Sequence, residues 1–183
     1  EVDFAAAKDH VQRAIAEIAP FDSEERFQGL GVRVIRAWGQ FLSPTELQAG
    51  EDLIRARRFV IATGSHALVP PIPGLDGVPY LTNETVFALR EAPAHLLILG
   101  GGPIGIEMAQ AHQRLGVPVT VIEGARALGR EDPELAAIAL AALRDEGVVI
   151  IEGVPVAQVA GQAGAITLTL QDGRSLQGSH LLV

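Results

Sequence analysis

Six residues, Gly100-Gly101-Gly102-Pro103-Ile104-Gly105, constrain this chain more than any others. Their G-x-G-x-x-G spacing is weak alone, because 20 glycines in 183 residues make chance matches common. The surroundings make it informative. His95 to Leu99 is an apolar run without alternation, as expected of a strand covered on both faces. Pro103 suits the first helical position, where an N–H would have no partner. Val117 to Ile122 reads as a second strand, closed by Glu123, 18 residues after Gly105. Strand, glycine turn, helix, strand and acid together make the fingerprint of a dinucleotide-binding βαβ unit. Gly100 is expected to make the tight turn, Gly102 to let backbone approach a pyrophosphate, and Gly105 to bring helix and strand close. The pyrophosphate would sit on the helix N-terminus, where unpaired N–H groups and the dipole favour negative charge. Glu123 would accept hydrogen bonds from the adenosine ribose hydroxyls. The plain alternative is a glycine turn that binds nothing.

The rhythm continues past Glu123. Asp132-Pro133-Glu134 opens an alanine-rich helix with a cap, a first-position proline and an early acid. Gly147 ends it, as Gly116 ends the previous helix. Val148 to Ile151 is a third strand, and Ala165 to Leu170 and Ser175 to Val183 are strands flanking the turn at Gln171 to Arg174. In the expected helix after the glycine turn, Ile104, Met108, Ala111 and Leu115 share a face. Before residue 77 the pattern differs. Asp3 would cap a helix to about Ala19, with Phe4, Val11, Ile15 and Ile18 on one face. Gly29-Leu30-Gly31 reads as a turn, Val32 to Trp38 as a strand, 41–52 as a hairpin, and Arg58 to Ala62 as another strand. Val69 to Gly74, with three prolines, is the best linker candidate.

Composition excludes several classes. The formal net charge of −8 argues against nucleic acid or an anionic membrane as partner. There is no cysteine, so disulfides and thiolate chemistry are absent from these residues. His10, His66, His95, His112 and His180 show no ligand spacing, and no metal site is expected. No apolar run reaches the roughly 18 residues of a membrane span, and no signal peptide opens the chain, so a cytoplasmic setting is the default. The chain opens within a helical pattern and closes on the apolar Leu181-Leu182-Val183, and it reads as a piece of something longer.

Four stretches together resemble the pyridine nucleotide-disulfide oxidoreductase family, in particular its mercuric reductase and dihydrolipoamide dehydrogenase branch. Ala37-Trp38-Gly39-Gln40-Phe41 is similar to the family's strand beside the FAD adenine. Phe59 to Ser65, followed by Pro70 to Gly74, is similar to its ATG segment over FAD. Leu81 to Phe87 resembles the entry to its NAD domain, and Gly100 to Glu107 (GGGPIGIE) its nicotinamide-cofactor motif. The resemblance implies an α/β fold of the FAD/NAD(P)-binding Rossmann-like type, three-layered, with a partial FAD domain over 1–76 and an NAD(P) domain over 77–183. The family's flavin pyrophosphate motif, redox cysteines and C-terminal histidine base would lie outside this chain.

The implied activity is hydride transfer between NAD(P)H and flavin, serving a disulfide or metal-ion acceptor. Alternatives are an NADH oxidase or quinone reductase type of flavoprotein, and a non-catalytic dinucleotide-binding redox module. The implied FAD contacts are Gly39, Thr63, Gly64 and Ser65. The implied NAD contacts are Gly100, Gly101, Gly102, Pro103, Ile104, Gly105, Glu123 and Val156, the last through its backbone near the adenine. Glu107 would face the flavin–nicotinamide junction as the catalytic candidate. NAD is expected over NADP because the Glu123 carboxylate would repel a 2′-phosphate, although Arg126 and Arg130 follow closely and would either be solvated or meet a phosphate. The full-length protein is expected to be a homodimer. For Trp38, packing in the sheet is expected over stacking on an adenine.

Overall fold

The computed structural model describes residues 2–183. Asp3 caps the first helix, α1 (Phe4–Ile18), its Oδ1 accepting the Ala6 N–H at 2.9 Å. By packing, the chain falls into two units: residues 13–66, and residues up to 12 together with 67–183.

In the unit of residues 13–66, the Ser23 hydroxyl caps the short helix α2 (Glu24–Gly29) by accepting the Arg26 N–H. Gly31, at φ +86°, makes the expected turn. β1 (Gly39–Ser43), β2 (Glu46–Ala49) and β3 (Asp52–Arg55) form an antiparallel meander, one strand more than the expected hairpin. The strands expected at 32–38 and 58–62 do not form. A strand needs a neighbour to take its N–H and C=O groups, and neither run exchanges ladder hydrogen bonds with a described strand, although Arg33 pairs with Asp52 and Phe59 packs on Phe41 through their side chains. Val60 and Ile61 are exposed, and Trp38, expected to pack in a sheet, is 98% exposed.

The other unit is built on a parallel sheet. β4 (Leu96–Leu99), α3 (Pro103–Arg114), β5 (Val119–Glu123), α4 (Pro133–Asp145) and β6 (Val149–Glu152) follow in order. Then β7 (Val156–Gln162), β8 (Ala165–Leu170) and β9 (Ser175–Gly178) make an antiparallel meander, and β10 (His180–Leu182) returns beside β4. The parallel order is β10-β4-β5-β6, with Leu97 opposite Thr120 and Glu123 opposite Glu152. Alternate residues of the strands serve two cores. Leu96, Ile98, Val119, Val121 and Leu182 pack with Ile106 and Ala109 of α3 and Ala136, Leu140 and Leu143 of α4. Leu97, Ile122 and Leu181 pack with Val159, Ile166, Leu168 and Leu170 of the meander. Both faces are covered, which is why the strands read as unbroken apolar runs. The result is the expected three-layer α/β arrangement. Among the described residues no helix is long and apolar enough to cross a membrane.

Local punctuation follows the sequence closely. Asp132 accepts the Glu134 and Leu135 N–H groups at 2.9 and 3.2 Å, and Gly116 and Gly147 follow their helices at φ +86° and +98°. Three expectations fail. Only Phe4 and Lys8 of α1 are buried, while Ile15 and Ile18 are exposed, so the expected face does not pack as one. Lys8 donates to the Val86 carbonyl at 3.2 Å, which seats the first turns of the helix on its own unit. The buried line of α3 is Ile106, Ala109 and His112, and Ile104 is exposed. The phase of that helix is set at Gly105, where a Cβ would stand 2.2 Å from the Gly100 carbonyl oxygen. Ser175 to Val183 is not one strand but two, in different sheets. The break falls at Ser179, whose N–H donates to the His95 carbonyl at 2.9 Å. Val69 to Gly74, the linker candidate, is without regular secondary structure over 69–72, and its Pro73 carbonyl accepts the Val159 N–H at 2.9 Å.

Candidate dinucleotide site

The parallel order creates a switch point. From β4 the chain winds outward through β5 and β6, whereas β10 lies on the other side of β4. Loops leaving the carboxyl ends of β4 and β10 therefore diverge and leave a crevice, the usual ligand position in open α/β sheets. The glycine turn runs from this crevice into α3.

Each glycine of the turn has a distinct physical reason. Gly100 adopts φ +111°, a region that favours glycine. Gly105 carries the helix against the turn, as the 2.2 Å approach above requires. Gly102, the N-cap of α3, has no protein atom within 4 Å of where a Cβ would be, so its outer side is open. Gly101, treated by the sequence only as part of the motif, is buried: a Cβ there would meet Ala127 Cβ at 2.9 Å and Glu123 Cβ at 3.0 Å. Both its backbone groups are engaged. Its N–H donates to Glu123 Oε2 at 2.8 Å, and its carbonyl accepts the Leu128 N–H at 2.8 Å. Among the described residues the N–H groups of Gly102, Ile104 and Gly105 have no protein acceptor. Pro103 has none to offer, and no side chain caps α3. Three free donors at the start of a 12-residue helix make a natural seat for an anion.

Two clefts flank the turn and share Gly102 and Pro103. One, ≈ 260 Å³, lies at the switch point and is lined by Leu99, Ile104, Leu182, Val183, Leu68 and Asn83 among others. The other, ≈ 570 Å³, lies beyond β5 and is lined by Glu123, Ala125, Arg126, Arg130 and Glu131 among others. The first is mainly aliphatic and the second charged. Glu123, at the end of β5, lines this cleft, but not as a free acid, because its Oε1 also accepts the Ala125 N–H at 2.9 Å. Arg126 and Arg130 line the same cleft.

Other expected residues lie elsewhere. Glu107 is exposed on α3 and lines neither cleft. Val156 starts β7 as a buried member of the second core. Gly39, Thr63, Gly64 and Ser65 belong to the unit of residues 13–66. Gly39 is the first residue of β1, paired with Ala49, and Thr63 to Ser65 form an exposed irregular segment with Gly64 at φ +68°.

A buried pair behind α3 has no counterpart in the sequence pattern. His112 is 2% exposed; its Nδ1 lies 2.9 Å from the Met108 carbonyl, and its Nε2 is buried without a partner. Burial holds its imidazole below the ordinary value, against the opposing pull of the Met108 carbonyl and with a lesser push from the charge of Lys8. Burial lowers the Lys8 amine as well. Their spacing on two distant helices is invisible to any local pattern.

Comparison with known proteins agrees with this geometry. Residues 5–183 match the family described as pyridine nucleotide-disulphide oxidoreductase. A mercuric reductase of Streptomyces lividans is 39% identical over 148 residues, covering 79% of this chain and 31% of that protein. A mercuric reductase of Bacillus cereus is 36% identical over 124 residues, covering 67% of this chain and 20% of that protein. The chain therefore spans less than a third of the length of either. Among solved structures, the HOCl-induced flavoprotein disulfide reductase RclA from Escherichia coli superposes with a TM-score of 0.80 at 30% identity, covering 98% of this chain and 42% of its own. LpdA from Mycobacterium tuberculosis gives a TM-score of 0.80 at 26% identity, covering 100% of this chain and 42% of its own. The fold, the fingerprint and the family match converge, and the chain belongs to the pyridine nucleotide-disulphide oxidoreductase family.

Proposed function

We propose that the unit built on the parallel sheet binds a nicotinamide dinucleotide, and that the whole protein uses it to exchange a hydride with flavin on behalf of a disulfide or metal-ion acceptor. One observation carries the binding half: two clefts of different character meet at a helix N-terminus with three free N–H groups. In this reading the pyrophosphate takes those donors, the adenosine lies beyond β5 beside Glu123, and the nicotinamide lies in the aliphatic cleft. The apolar walls there would exclude water from the ring that carries the hydride. The acceptor half rests on the names of the relatives, a mercuric reductase and a flavoprotein disulfide reductase.

On the same reading, residues 1–76 are a partial FAD domain and 77–183 an NAD(P) domain. Gly39, Thr63, Gly64 and Ser65 are then flavin contacts, Glu107 stands at the nicotinamide end, and Val156 lies near the adenine. The fit of the first group to a flavin rests on the exposed Thr63 to Ser65 segment and the open space around Gly64. Flavin and nicotinamide supply the electron chemistry, while the protein binds, orients and shields them. NADH is proposed over NADPH, on the Glu123 carboxylate. Titrating the 183-residue chain with NADH and NADPH, followed by nucleotide fluorescence, tests the binding half. Saturable binding with NADH the tighter is expected, and absence of binding by both would reject it.

A further inference from the structure

The loop between β5 and α4, residues 124–132, forms one wall of the charged cleft. It contains Leu128 at φ +51°, a conformation unfavourable for a branched side chain. A loop holding such a residue must be fixed from outside. Two contacts tie it directly to the glycine turn, the Leu128 N–H on the Gly101 carbonyl and the packing of Ala127 against Gly101, and Glu123 at the end of β5 bridges the two by accepting both the Gly101 and the Ala125 N–H. Ala127 is fully buried, and its N–H needs an acceptor. The acceptor is Glu152 Oε1, at 2.8 Å, from the end of β6. The other oxygen, Oε2, takes the Arg144 guanidinium of α4 at 2.7 Å. The neighbouring Gly153 N–H donates to the Ala125 carbonyl at 2.7 Å. The register that sets Glu152 beside Glu123 thus puts two carboxylates side by side, both engaged with backbone of one loop.

We infer that Glu152 is a positioning residue for the adenosine half of the dinucleotide: through Ala127 it holds the loop that grips Gly101 and carries Arg126 and Arg130. It lines neither cleft, so it acts without touching the ligand. The inference rests on the dinucleotide reading above. The carboxylate's role is to accept the Ala127 N–H, a task a glutamine oxygen also performs. The Arg144 pair, half exposed, only orients the acid.

The test compares wild type with Glu152→Ala, Glu152→Gln and Arg144→Met, titrating each with NADH and with ADP and following amide hydrogen exchange. Glu152→Ala should weaken both ligands alike, by about tenfold, while Glu152→Gln and Arg144→Met stay within about threefold of wild type. Exchange at Gly101, Ala127 and Leu128 should quicken in Glu152→Ala, with the β4 and β5 amides still protected as proof of folding. Unchanged affinity in Glu152→Ala, a glutamine variant as weak as alanine, or loss of NADH affinity with ADP spared would each overturn the inference. If wild type bound neither ligand while the exchange pattern held, the dinucleotide reading would fall and the loop-fixing role of Glu152 would stand.

Discussion

Replacing two glycines of one turn by alanine should give opposite lesions. At Gly105 the added Cβ would lie 2.2 Å from the Gly100 carbonyl oxygen and 3.4 Å from Ile98 Cγ2. An ordinary contact is more than 1 Å longer than the first of these, so α3 must back away from the turn. Overpacking of this kind costs roughly 1–3 kcal/mol. Alanine returns up to about 1 kcal/mol of helix propensity. Because the clash is with a backbone oxygen, the cost falls at the upper end of that range, and the net destabilisation should be about 2 kcal/mol. At Gly102 the backbone is extended, φ −73° and ψ 177°, and no protein atom lies within 4 Å of the new carbon. Stability should change by less than about 0.5 kcal/mol, as at other open surface sites. The carbon would instead occupy the space a pyrophosphate needs, and NADH affinity should fall at least about tenfold. Denaturant melts and NADH titrations of both variants read the two effects separately. A Gly102→Ala protein that bound NADH like wild type, at undiminished stability, would refute the placement of the pyrophosphate. A Gly105→Ala protein as stable as wild type would refute the argument from close approach.

Three further outcomes are expected. Glu123→Ala should narrow the preference for NADH over NADPH by about tenfold; it should also weaken both ligands, because Gly101 and Ala125 lose their acceptor, and competitive titration measures each effect. If the whole protein carries flavin as proposed, Glu107→Gln should slow its NADH-driven flavin reduction in stopped flow while nucleotide affinity changes only a few-fold, since this exposed acid lines neither cleft. Burial, and then Lys8, depress the His112 imidazole below its unfolded value of 6.5, so the unfolded chain takes up a proton first as pH falls. The stabilisation that neutral His112 contributes is therefore full above pH 6.5 and is lost as pH drops toward the lowered folded value. His112→Phe should flatten that part of the stability–pH curve, and an unchanged slope would show that another group titrates there.

What the sequence determined by itself is local and chemical. The glycine spacing, Pro103, and the acid after the second strand are set by steric and hydrogen-bonding demands within a few residues, as are the cap at Asp132 and the left-handed Gly116 and Gly147. All are found where expected. The two-sided burial of the parallel strands was also legible, because such strands show no alternation. What only the tertiary structure decided depends on partners distant in sequence. The runs at 32–38 and 58–62 have strand composition but no neighbour to complete a ladder. β7, with its polar residues and Gly161, became a strand because β8 pairs with it. The phase of α3 followed the contact at Gly105 rather than its apolar pattern. Lys8 and His112, ordinary surface residues by type, are buried by packing between residues distant in sequence: Lys8 reaches the Val86 carbonyl 78 residues away, and the Phe4 ring of the same helix lies 6.2 Å from that of His112. Glu152 acquired its task from strand register alone, because only the pairing of β5 with β6 brings its carboxylate to the Ala127 N–H.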